Sequence, residues 1–436
     1  MNAGIAEQMK DWRKILETIR PGTEEEKLKI LFVQPLLQEL GFTVSSYTKN
    51  KQFTGQFQGS RETVEPDYTC WASEAESSMP VLVVEDTVQP GLINEAIEQV
   101  QKQMIITSAS FGLATNGLQI QLFQRHGKIC VPRTPIYDLS SQEIEFIIKN
   151  IKIKITKPRR ALTVMFWNHK GGVGKTTITA NIGAALATNQ HTKVLIINFD
   201  LQGDINPMFD IPDMTEYQTP VTMWDALEDV ATGVGEIQPR KLVKTRKFDI
   251  GRSYKSTLYS IDIIPGDRSM FEVETEYFNN REISLRLLLE KSFYWEYDYI
   301  LIDASPSWPV AKLAAYAADA IVPVVDSSNF AVLAVDRLKN IYLSPEPLGK
   351  WNLNNSPVIP KIIGYVINPR LQNPAADNAV KRIQEELRKI GLEPSNWIVP
   401  NYAEIEKEIT KRKPVVYSSP NSNSAQIFNS LSAKIF

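Results

Sequence analysis

The sequence contains few of the residues that build metal clusters or disulfide frameworks. Its 436 residues include two cysteines, Cys70 and Cys130, and three histidines. Two cysteines are too few for a disulfide framework or a cysteine-ligated zinc site, and three histidines add too few ligands for a metal cluster. Any metal chemistry must therefore rely on carboxylates, hydroxyls and a bound ligand.

Long apolar runs and a strong charge imbalance are also missing. No run reaches the roughly 20 apolar residues that a membrane-spanning helix needs. The first 14 residues, MNAGIAEQMKDWRK, lack the apolar core of a signal peptide, so we expect a cytoplasmic protein. The formal net charge is −2, so binding to nucleic acid would require a local basic patch.

The length permits two domains, each with a substantial core. We expect a first domain at residues 1–150, a linker at 151–160 and a second domain at 161–436. The linker segment, IKIKITKPRR, is short and basic. We interpret it as a solubilising hinge, with a DNA or phosphate contact as the alternative.

A glycine-rich segment between a predicted strand and a predicted helix is the most specific motif. Its residues are Lys170, Gly171, Gly172, Val173, Gly174, Lys175, Thr176 and Thr177. Such a loop cradles phosphates with backbone N–H groups, while its lysine reaches the β- and γ-phosphates and its hydroxyl holds Mg²⁺. The flanking segments, a strand at 161–167 and a helix at 176–188, favour a P-loop that binds ATP with Mg²⁺.

Alternating strands and helices in the second domain predict a doubly wound, mostly parallel α/β sheet with its ligand at the carboxyl ends of the strands. Asp303 ends the apolar strand in YDYILIDASPS and is expected to help hold Mg²⁺. Asp200 ends the strand in KVLIINFD, so both carboxylates should face the phosphates.

The P-loop departs from the common pattern, since His169 stands at the first glycine position and a second lysine, Lys170, follows it. This loop resembles the deviant Walker A motif of the ParA/MinD family of ATPases. Further segments are similar to those of the family, and with them the resemblance covers residues 161–436; they are KVLIINFDLQG, YDYILIDASPS, AADAIVPVVD, KIIGYVIN and the closing IVP with Pro414, Val415 and Tyr417. The cysteine count excludes the iron–sulfur members of this ATPase class.

The resemblance implies catalytic and binding roles for individual residues. Lys170 would reach the nucleotide of a second subunit, like an arginine finger, so that ATP drives dimerisation. Lys175 would neutralise the phosphates, and Asp200 would orient the attacking water, with a Mg²⁺-supporting role as the alternative. Asn368 is the candidate adenine contact, and Pro400 begins the loop that packs along the base or forms a plain turn.

One position departs from the family pattern near the catalytic acid. Asn198 stands where the family has an acid two residues before Asp200. Because this removes a charge beside the metal, we expect slower hydrolysis or altered Mg²⁺ affinity.

The first domain has its own alternation of elements. Patterning predicts helices at 23–40, 93–104 and 140–150, and strands at 66–71, 81–84, 111–114 and 118–124. The first domain resembles the nuclease-like PD-(D/E)-x-K domain of type I restriction subunits, a small α/β fold. The resemblance rests on Asp67, Glu85 and the glutamines of the predicted helix at 93–104. Thr87 replaces the motif lysine, with Lys102 as the candidate substitute. We therefore expect a degenerate binding module rather than a nuclease.

The family resemblance favours an ATPase for DNA segregation or cargo positioning, with a partner that stimulates hydrolysis and non-specific DNA as a second ligand. It implies a cytoplasmic location, with nucleoid association as an option. The alternatives are a nucleic-acid-processing or defence protein with an active nuclease domain, and a metabolic ATP-dependent ligase. A MinD-like membrane anchor is disfavoured because the C-terminal segment has one lysine. Candidate DNA contacts are Arg370, Lys381, Arg382, Arg388, Lys389, Lys411, Arg412 and Lys413.

Overall fold

The computed structural model divides the chain into two compact units, Met1–Pro158 and Arg159–Phe436. The residues that it describes are 11–19, 23–73, 79–87, 93–139, 143–158, 161–189, 192–200, 205–212, 221–250, 258–266, 282–343, 358–369, 374–393, 397–399, 405, 407 and 412–436.

The first unit contains a mixed sheet and a separate hairpin. The strands are β1 (Tyr47–Lys49), β2 (Phe53–Phe57), β3 (Ser60–Val64), β4 (Tyr68–Cys70), β5 (Leu82–Asp86), β6 (Phe111–Thr115), β7 (Gln119–His126), β8 (Ile129–Pro132) and β9 (Tyr137–Asp138). The sheet order is β1-β4-β5-β6-β7-β8, with β9 on β7, while β2 pairs with β3 alone. Only β5 and β6 run parallel among these pairs, because the helix between them returns the chain to the same end of the sheet.

Helices of the first unit contribute buried apolar side chains to its core. They are α1 (Trp12–Thr18), α2 (Glu25–Leu28), α3 (Gln34–Leu40), α4 (Ile93–Thr107) and α5 (Ile144–Thr156), with a π-helical turn (Lys29–Val33) joining α2 to α3. Val100 and Met104 of α4 are fully buried against the residues of β5 and β6, as the helical spacing of four predicts. The expected helix at 23–40 is one continuous helical element, in which α2, the π-helical turn and α3 follow one another directly.

The expected linker at 151–160 is wrong over most of its length. Helix α5 continues to Thr156, and Ile151 and Ile155 on it are buried. The run IKIKIT alternates in composition like a strand, but isoleucines at 144, 147, 148, 151 and 155 have helical spacing. The boundary between the units consequently lies after Pro158.

The second unit is built on a larger sheet. Its strands are β10 (Leu162–Trp167), β11 (Val194–Phe199), β12 (Lys244–Asp249), β13 (Leu258–Ile264), β14 (Tyr299–Ala304), β15 (Ala320–Asp326), β16 (Lys361–Ile362) and β17 (Val366–Asn368). The order is β12-β13-β11-β14-β10-β15-β16, with β17 also on β15. All neighbours run parallel except β12 and β13. The expected mostly parallel sheet is confirmed.

Helices connect these parallel strands. They are α6 (Lys175–Asn189), α7 (Ile205–Met208), α8 (Met223–Thr232), α9 (Ser284–Leu289), α10 (Trp308–Ala317), α11 (Asn329–Arg337), α12 (Pro374–Lys389), α13 (Val415–Ser418) and α14 (Asn423–Ile435). Every residue of β10, β11 and β15 is buried, which explains their nearly continuous apolar sequences. Part of the basic segment at 239–247 forms the edge strand β12.

Candidate nucleotide site

The P-loop lies between the end of β10 and the start of α6, as the sequence predicts. Gly172 and Gly174 have φ angles of 69° and 100°, a backbone region that side chains with a Cβ rarely adopt. These two turns carry the chain from the sheet into the helix, and Ile178 N donates to the Gly174 carbonyl at 3.0 Å. The loop therefore has the backbone shape that directs N–H groups toward an anion at the helix N-terminus.

Asn368 ends β17 and contacts this loop from a neighbouring strand. Its Nδ2 donates to the Val173 carbonyl at 3.1 Å, and a Cβ on Gly174 would stand 2.7 Å from that nitrogen. The structure thus brings Asn368 to the P-loop, where its amide bonds the loop backbone. Pro400, together with the segment Leu201-Gln202-Gly203, lies outside the described residues.

The two predicted acids lie at the carboxyl ends of neighbouring strands. Asp303 of β14 is fully buried and stands in register with Asn198 of β11 and Phe166 of β10. Asp200, which is 5% exposed, follows β11 directly. Because β14 lies between β10 and β11, both carboxylates occupy the sheet edge from which the P-loop leaves.

Asn198 supports the turn that carries Asp200. It is fully buried, and its Oδ1 accepts from Asp200 N at 3.2 Å. Its Nδ2 lies 3.4 Å from Oδ1 of Asn206, whose own side chain bonds both the N–H and the carbonyl of Gly266. The uncharged amide of Asn198 can both donate and accept, so it bonds the Asp200 backbone and the Asn206 side chain that holds Gly266.

Lys170 has a task within its own subunit, which the sequence did not reveal. Its Nζ donates to Asp326 Oδ2 at 2.5 Å and to Ser328 Oγ at 2.9 Å. Asp326 ends β15 and its side chain is 4% exposed, while that of Lys170 is 34% exposed. The ammonium is therefore held at the rim of the site by a buried carboxylate.

Two neighbours of Lys170 fix the start of the loop. Asn168 Oδ1 accepts from Lys170 N at 2.8 Å, and its Nδ2 donates to the carbonyls of Val324 and Ala331. His169 Nδ1 lies 3.0 Å from the Pro306 carbonyl, beyond the end of β14. Sequence reasoning missed Asn168, Asp326 and Ser328. The sequence feature that could have indicated them is the polar residue at or just after the end of each apolar strand.

The described candidate DNA contacts are all exposed, and three of them have a partner within the protein. Arg382 donates to the Ser327 carbonyl at 2.7 Å, Lys389 pairs with Glu386 and Arg412 pairs with Asp210. Lys381, Arg388 and Lys413 are exposed, whereas Arg370 and Lys411 lie outside the described residues. Helix α12 thus presents several cations on one element, and within the described residues Arg382 and Lys389 of this helix have the partners named above.

A second cluster of charged side chains lies within the first unit. Lys29 Nζ is 2.7 Å from Asp67 Oδ1 and also bonds Glu25. Glu85 of β5 accepts from Gln103 of α4 at 2.6 Å, and Asp67 Oδ2 accepts from the N–H of Asp86. The structure therefore brings the predicted Asp67, which directly precedes β4, close to Glu85 of the neighbouring strand β5, with Lys29 beside Asp67.

The lysine at this cluster differs from the one expected. Lys102 points to Glu62 of the β2–β3 hairpin rather than to Asp67 or Glu85. Thr87 follows β5, and its N–H bonds the Thr115 carbonyl. Lys29 supplies the positive charge from the π-helical turn, a position that linear spacing did not indicate. Among the described residues, no group of three or more His, Cys, Asp or Glu side chains is arranged as a metal site.

Burial governs the protonation of this cluster. It raises the pKa of Glu85 to about 7, against the opposing hydrogen bond from Gln103. Burial and the adjacent Asp67 carboxylate raise the pKa of Asp86 to about 8. Burial alone would lower the pKa of Lys29, but its bonds to Asp67 and Glu25 raise it above its usual value. Lys29 is therefore a permanent cation among acids that protonate readily.

Comparison with protein families places the resemblance on the second unit. Residues 161–343 match the model of the family described as the AAA domain. That stretch contains the P-loop, Asp200, Asp303, Asp326 and helix α11.

Two characterised relatives extend beyond the P-loop. The sporulation initiation inhibitor protein Soj of Bacillus subtilis is 25% identical over 272 residues, 62% of this chain and 95% of its own length. The chromosome partitioning protein ParA of Caulobacter vibrioides is 32% identical over 185 residues, 42% of this chain and 61% of its own length.

Comparison with solved structures finds a variant of Cyanothece McdA in complex with ATP at a TM-score of 0.47, with 17% identity, covering 63% of this chain and 96% of that one. Within the described part of the chain, none of the helices combines the length and apolar character that crossing a membrane requires.

Proposed function

We propose that the second unit is a ParA-like ATPase that binds ATP with Mg²⁺, dimerises through the nucleotide and serves in DNA segregation or cargo positioning. The observation that carries this proposal is the P-loop with Lys170 at its start, flanked by Asp200 and Asp303 at the ends of neighbouring strands. The similarity to Soj and to a chromosome partitioning protein supports the biological role.

The residues present fit a magnesium-bound triphosphate. The positive φ angles of Gly172 and Gly174 shape an anion-binding loop, and Lys175 and Thr176 begin α6 beneath it. Thr176 and the buried Asp303 would hold Mg²⁺, which when bound withdraws charge from the phosphate oxygens. Lys175 would neutralise the β- and γ-phosphates, and Asp200 would orient the water that attacks the γ-phosphorus.

Lys170 gives the proposal its oligomeric part. In a dimer whose nucleotides lie between the subunits, its ammonium would stabilise the charge that develops on the partner's γ-phosphate. ATP would then join two subunits and hydrolysis would release them. A stimulating partner protein and non-specific DNA are the ligands that such a cycle would use. Nucleoid association within the cytoplasm would follow from the DNA contact.

Sedimentation velocity on an Asp200→Ala variant tests the proposal. Removing the carboxylate should slow hydrolysis but leave ATP binding, so the variant should accumulate as a dimer with ATP and Mg²⁺. It should remain monomeric with ADP. A monomer under both conditions would refute the nucleotide-bridged dimer, and unchanged turnover would remove Asp200 from the mechanism.

A second candidate function is nucleic-acid cleavage by the first unit. The specific observation in its favour is Lys29, which stands 2.7 Å from Asp67 and could replace the cation that Thr87 lacks. We nevertheless propose a binding module, because Lys29 already neutralises Asp67 and burial raises the pKa of Glu85 to about 7. Both effects weaken the hold of the two acids on a divalent cation.

Incubation with supercoiled plasmid in Mg²⁺ or Mn²⁺ separates the two candidates. We expect no nicking. Nicking that disappears in Lys29→Ala and Asp67→Ala but persists in Lys102→Ala would establish the nuclease instead. Lys102→Ala is the control for loss of a lysine, because Lys102 is bound to Glu62 of the β2–β3 hairpin rather than to Asp67 or Glu85.

A further inference from the structure

The Lys170 ammonium would have to serve two partners, Asp326 of its own subunit and a phosphate bound by the second copy. Within one subunit, Lys170 donates to both Asp326 and Ser328. The proposed dimer requires the same group to leave and reach a phosphate of the second copy. These two states exclude each other, so the strength of the first must affect the population of the second.

The turn that holds Lys170 is fixed from several sides. Ser328 donates through its N–H and its hydroxyl to Asp326 Oδ1, at 3.0 and 2.5 Å, and its Oγ caps α11 by accepting from Ala331 N. Burial alone would raise the pKa of Asp326, but the bonds from Lys170 and Ser328 outweigh it and hold the pKa below its usual value. The carboxylate is therefore ionised at neutral pH.

Departure of Lys170 would leave this buried carboxylate without that counter-ion. The two bonds from Ser328 would remain to compensate a side chain that is 4% exposed. Loss of one partner of a buried ion pair is unfavourable, so the lysine should move only toward a site of higher negative charge. The terminal phosphate of ATP is such a site, and ADP lacks it.

We infer that Asp326, assisted by Ser328, is a positioning residue that keeps Lys170 in its own subunit and sets the threshold for ATP-dependent dimerisation. This inference rests on the proposed function. It predicts that weakening the Asp326 contact strengthens the dimer, because less free energy is spent in releasing the lysine. A purely structural role for Asp326 predicts the opposite, since a damaged turn would weaken assembly.

The test compares dimer dissociation constants by sedimentation in an Asp200→Ala background with saturating ATP. Asp326→Asn keeps an oxygen that Ser328 can donate to and removes the charge, so we expect dimerisation to tighten about tenfold or more. Asp336→Asn is the matched control. Asp336 lies on α11, which Ser328 caps, and bonds Asn340, and its removal should change the constant less than about twofold.

A chemical measurement on the nucleotide-free protein reports the lysine directly. Acetylation of Lys170 by a soluble ester, followed by mass spectrometry, should be several-fold faster in Asp326→Asn and in Ser328→Ala than in the parent. Lys193, which pairs with Glu296 elsewhere, serves as the internal reference. Where one of the two variants folds poorly, the other supplies this readout, because unfolding alone would also speed acetylation.

The outcomes distinguish the inference from its premise. A parent that dimerises with ATP, together with an Asp326→Asn variant that dimerises equally or more weakly and acetylates at the parent rate, overturns the positioning role alone. A parent that stays monomeric overturns the proposed function and this inference together.

Discussion

At the scale of single residues, the P-loop glycines carry conformations that other residues resist. Gly174 has a φ of 100°, and a Cβ there would also meet Asn368 Nδ2 at 2.7 Å. Gly171, earlier in the same loop, has open space where a methyl group would stand, with no heavy atom within 4 Å. A side chain at position 174 is therefore opposed by both the backbone conformation and a close neighbour, whereas a methyl group at position 171 meets no neighbour.

Gly174→Ala is expected to destabilise the nucleotide-free second unit by about 1–2 kcal/mol, the approximate cost of a left-handed conformation for a residue with a Cβ. The shift of Asn368 adds to this. Gly171→Ala should change the unfolding temperature little, because its methyl group meets nothing. Calorimetry without nucleotide measures both, and equal effects from the two variants would contradict this account.

The buried acids of the first unit make its stability depend on pH. Burial and Asp67 raise the pKa of Asp86 to about 8, from an ordinary value of 3.8, with Lys29 opposing. The folded state therefore binds the Asp86 proton more tightly than the unfolded state does. Its contribution to stability falls as pH rises from about 4 to about 8.

Asp86→Asn should accordingly raise the unfolding temperature by about 3 °C or more at about pH 8.5 and by much less at about pH 4.5. Asp138→Asn, at an exposed position of β9, is the control for loss of a charge. Thermal scans at several pH values in a metal chelator measure the difference. A constant difference between the variants at all pH values would show that Asp86 does not titrate as described.

At the scale of elements, patterning predicted the buried strands and the long helices but not the edges. Strands β10, β11 and β14 were predicted because continuous apolar runs are typical of strands in a sheet that is covered on both faces, whereas the β15 segment was indicated by its resemblance to the family. The β2–β3 hairpin was missed, since its strands alternate polar and half-buried residues like a loop. Edge strand β12 was missed for the same reason, because lysines and arginine occupy it.

The candidate site divides in a similar way. Lys175, Asp200 and Asp303 were predictable because each stands at a fixed place after an apolar strand or within the P-loop. Lys29 and Asp326 were not, because their partners, Asp67 and Lys170, are distant in sequence, the second pair being 156 residues apart. Pairings of that kind arise from the tertiary fold, which a single sequence does not encode locally.

Helix α5 leads to a prediction about where the first unit can be cut. Ile151 is fully buried and Ile155 is 8% exposed, so both belong to the core of that unit. A fragment of residues 1–158 should fold, while a fragment of residues 1–150 should lose cooperative unfolding. Circular dichroism melts compare the two. A cooperative melt of the shorter fragment would show that the C-terminal end of α5 is dispensable.

At the scale of the whole molecule, the near-neutral net charge limits how DNA could bind. The chain carries 48 basic and 50 acidic residues, so one copy offers only a local patch such as the exposed cations of α12. Two copies double the phosphate contacts, and the affinity that comes from counter-ion release rises steeply with their number.

DNA binding is therefore expected to be weak with ADP, clear with ATP and independent of sequence. It should be lost between about 50 and 200 mM salt. Filter binding on two unrelated duplexes measures this, and Lys381→Ala should reduce affinity more than Lys389→Ala, whose lysine already pairs with Glu386. Equal affinity with both nucleotides, or a strong preference for one duplex, would contradict the prediction.

The hydrogen bond from Arg382 to the Ser327 carbonyl joins α12 to the turn between Asp326 and Ser328. A polyanion that draws Arg382 away would act on the same turn that retains Lys170. Thermodynamic linkage then requires reciprocity, so that release of Lys170 changes the affinity for the polyanion by the same factor. Through the single hydrogen bond from Arg382 to the Ser327 carbonyl, binding of the polyanion and release of Lys170 toward the partner's ATP would each affect the other.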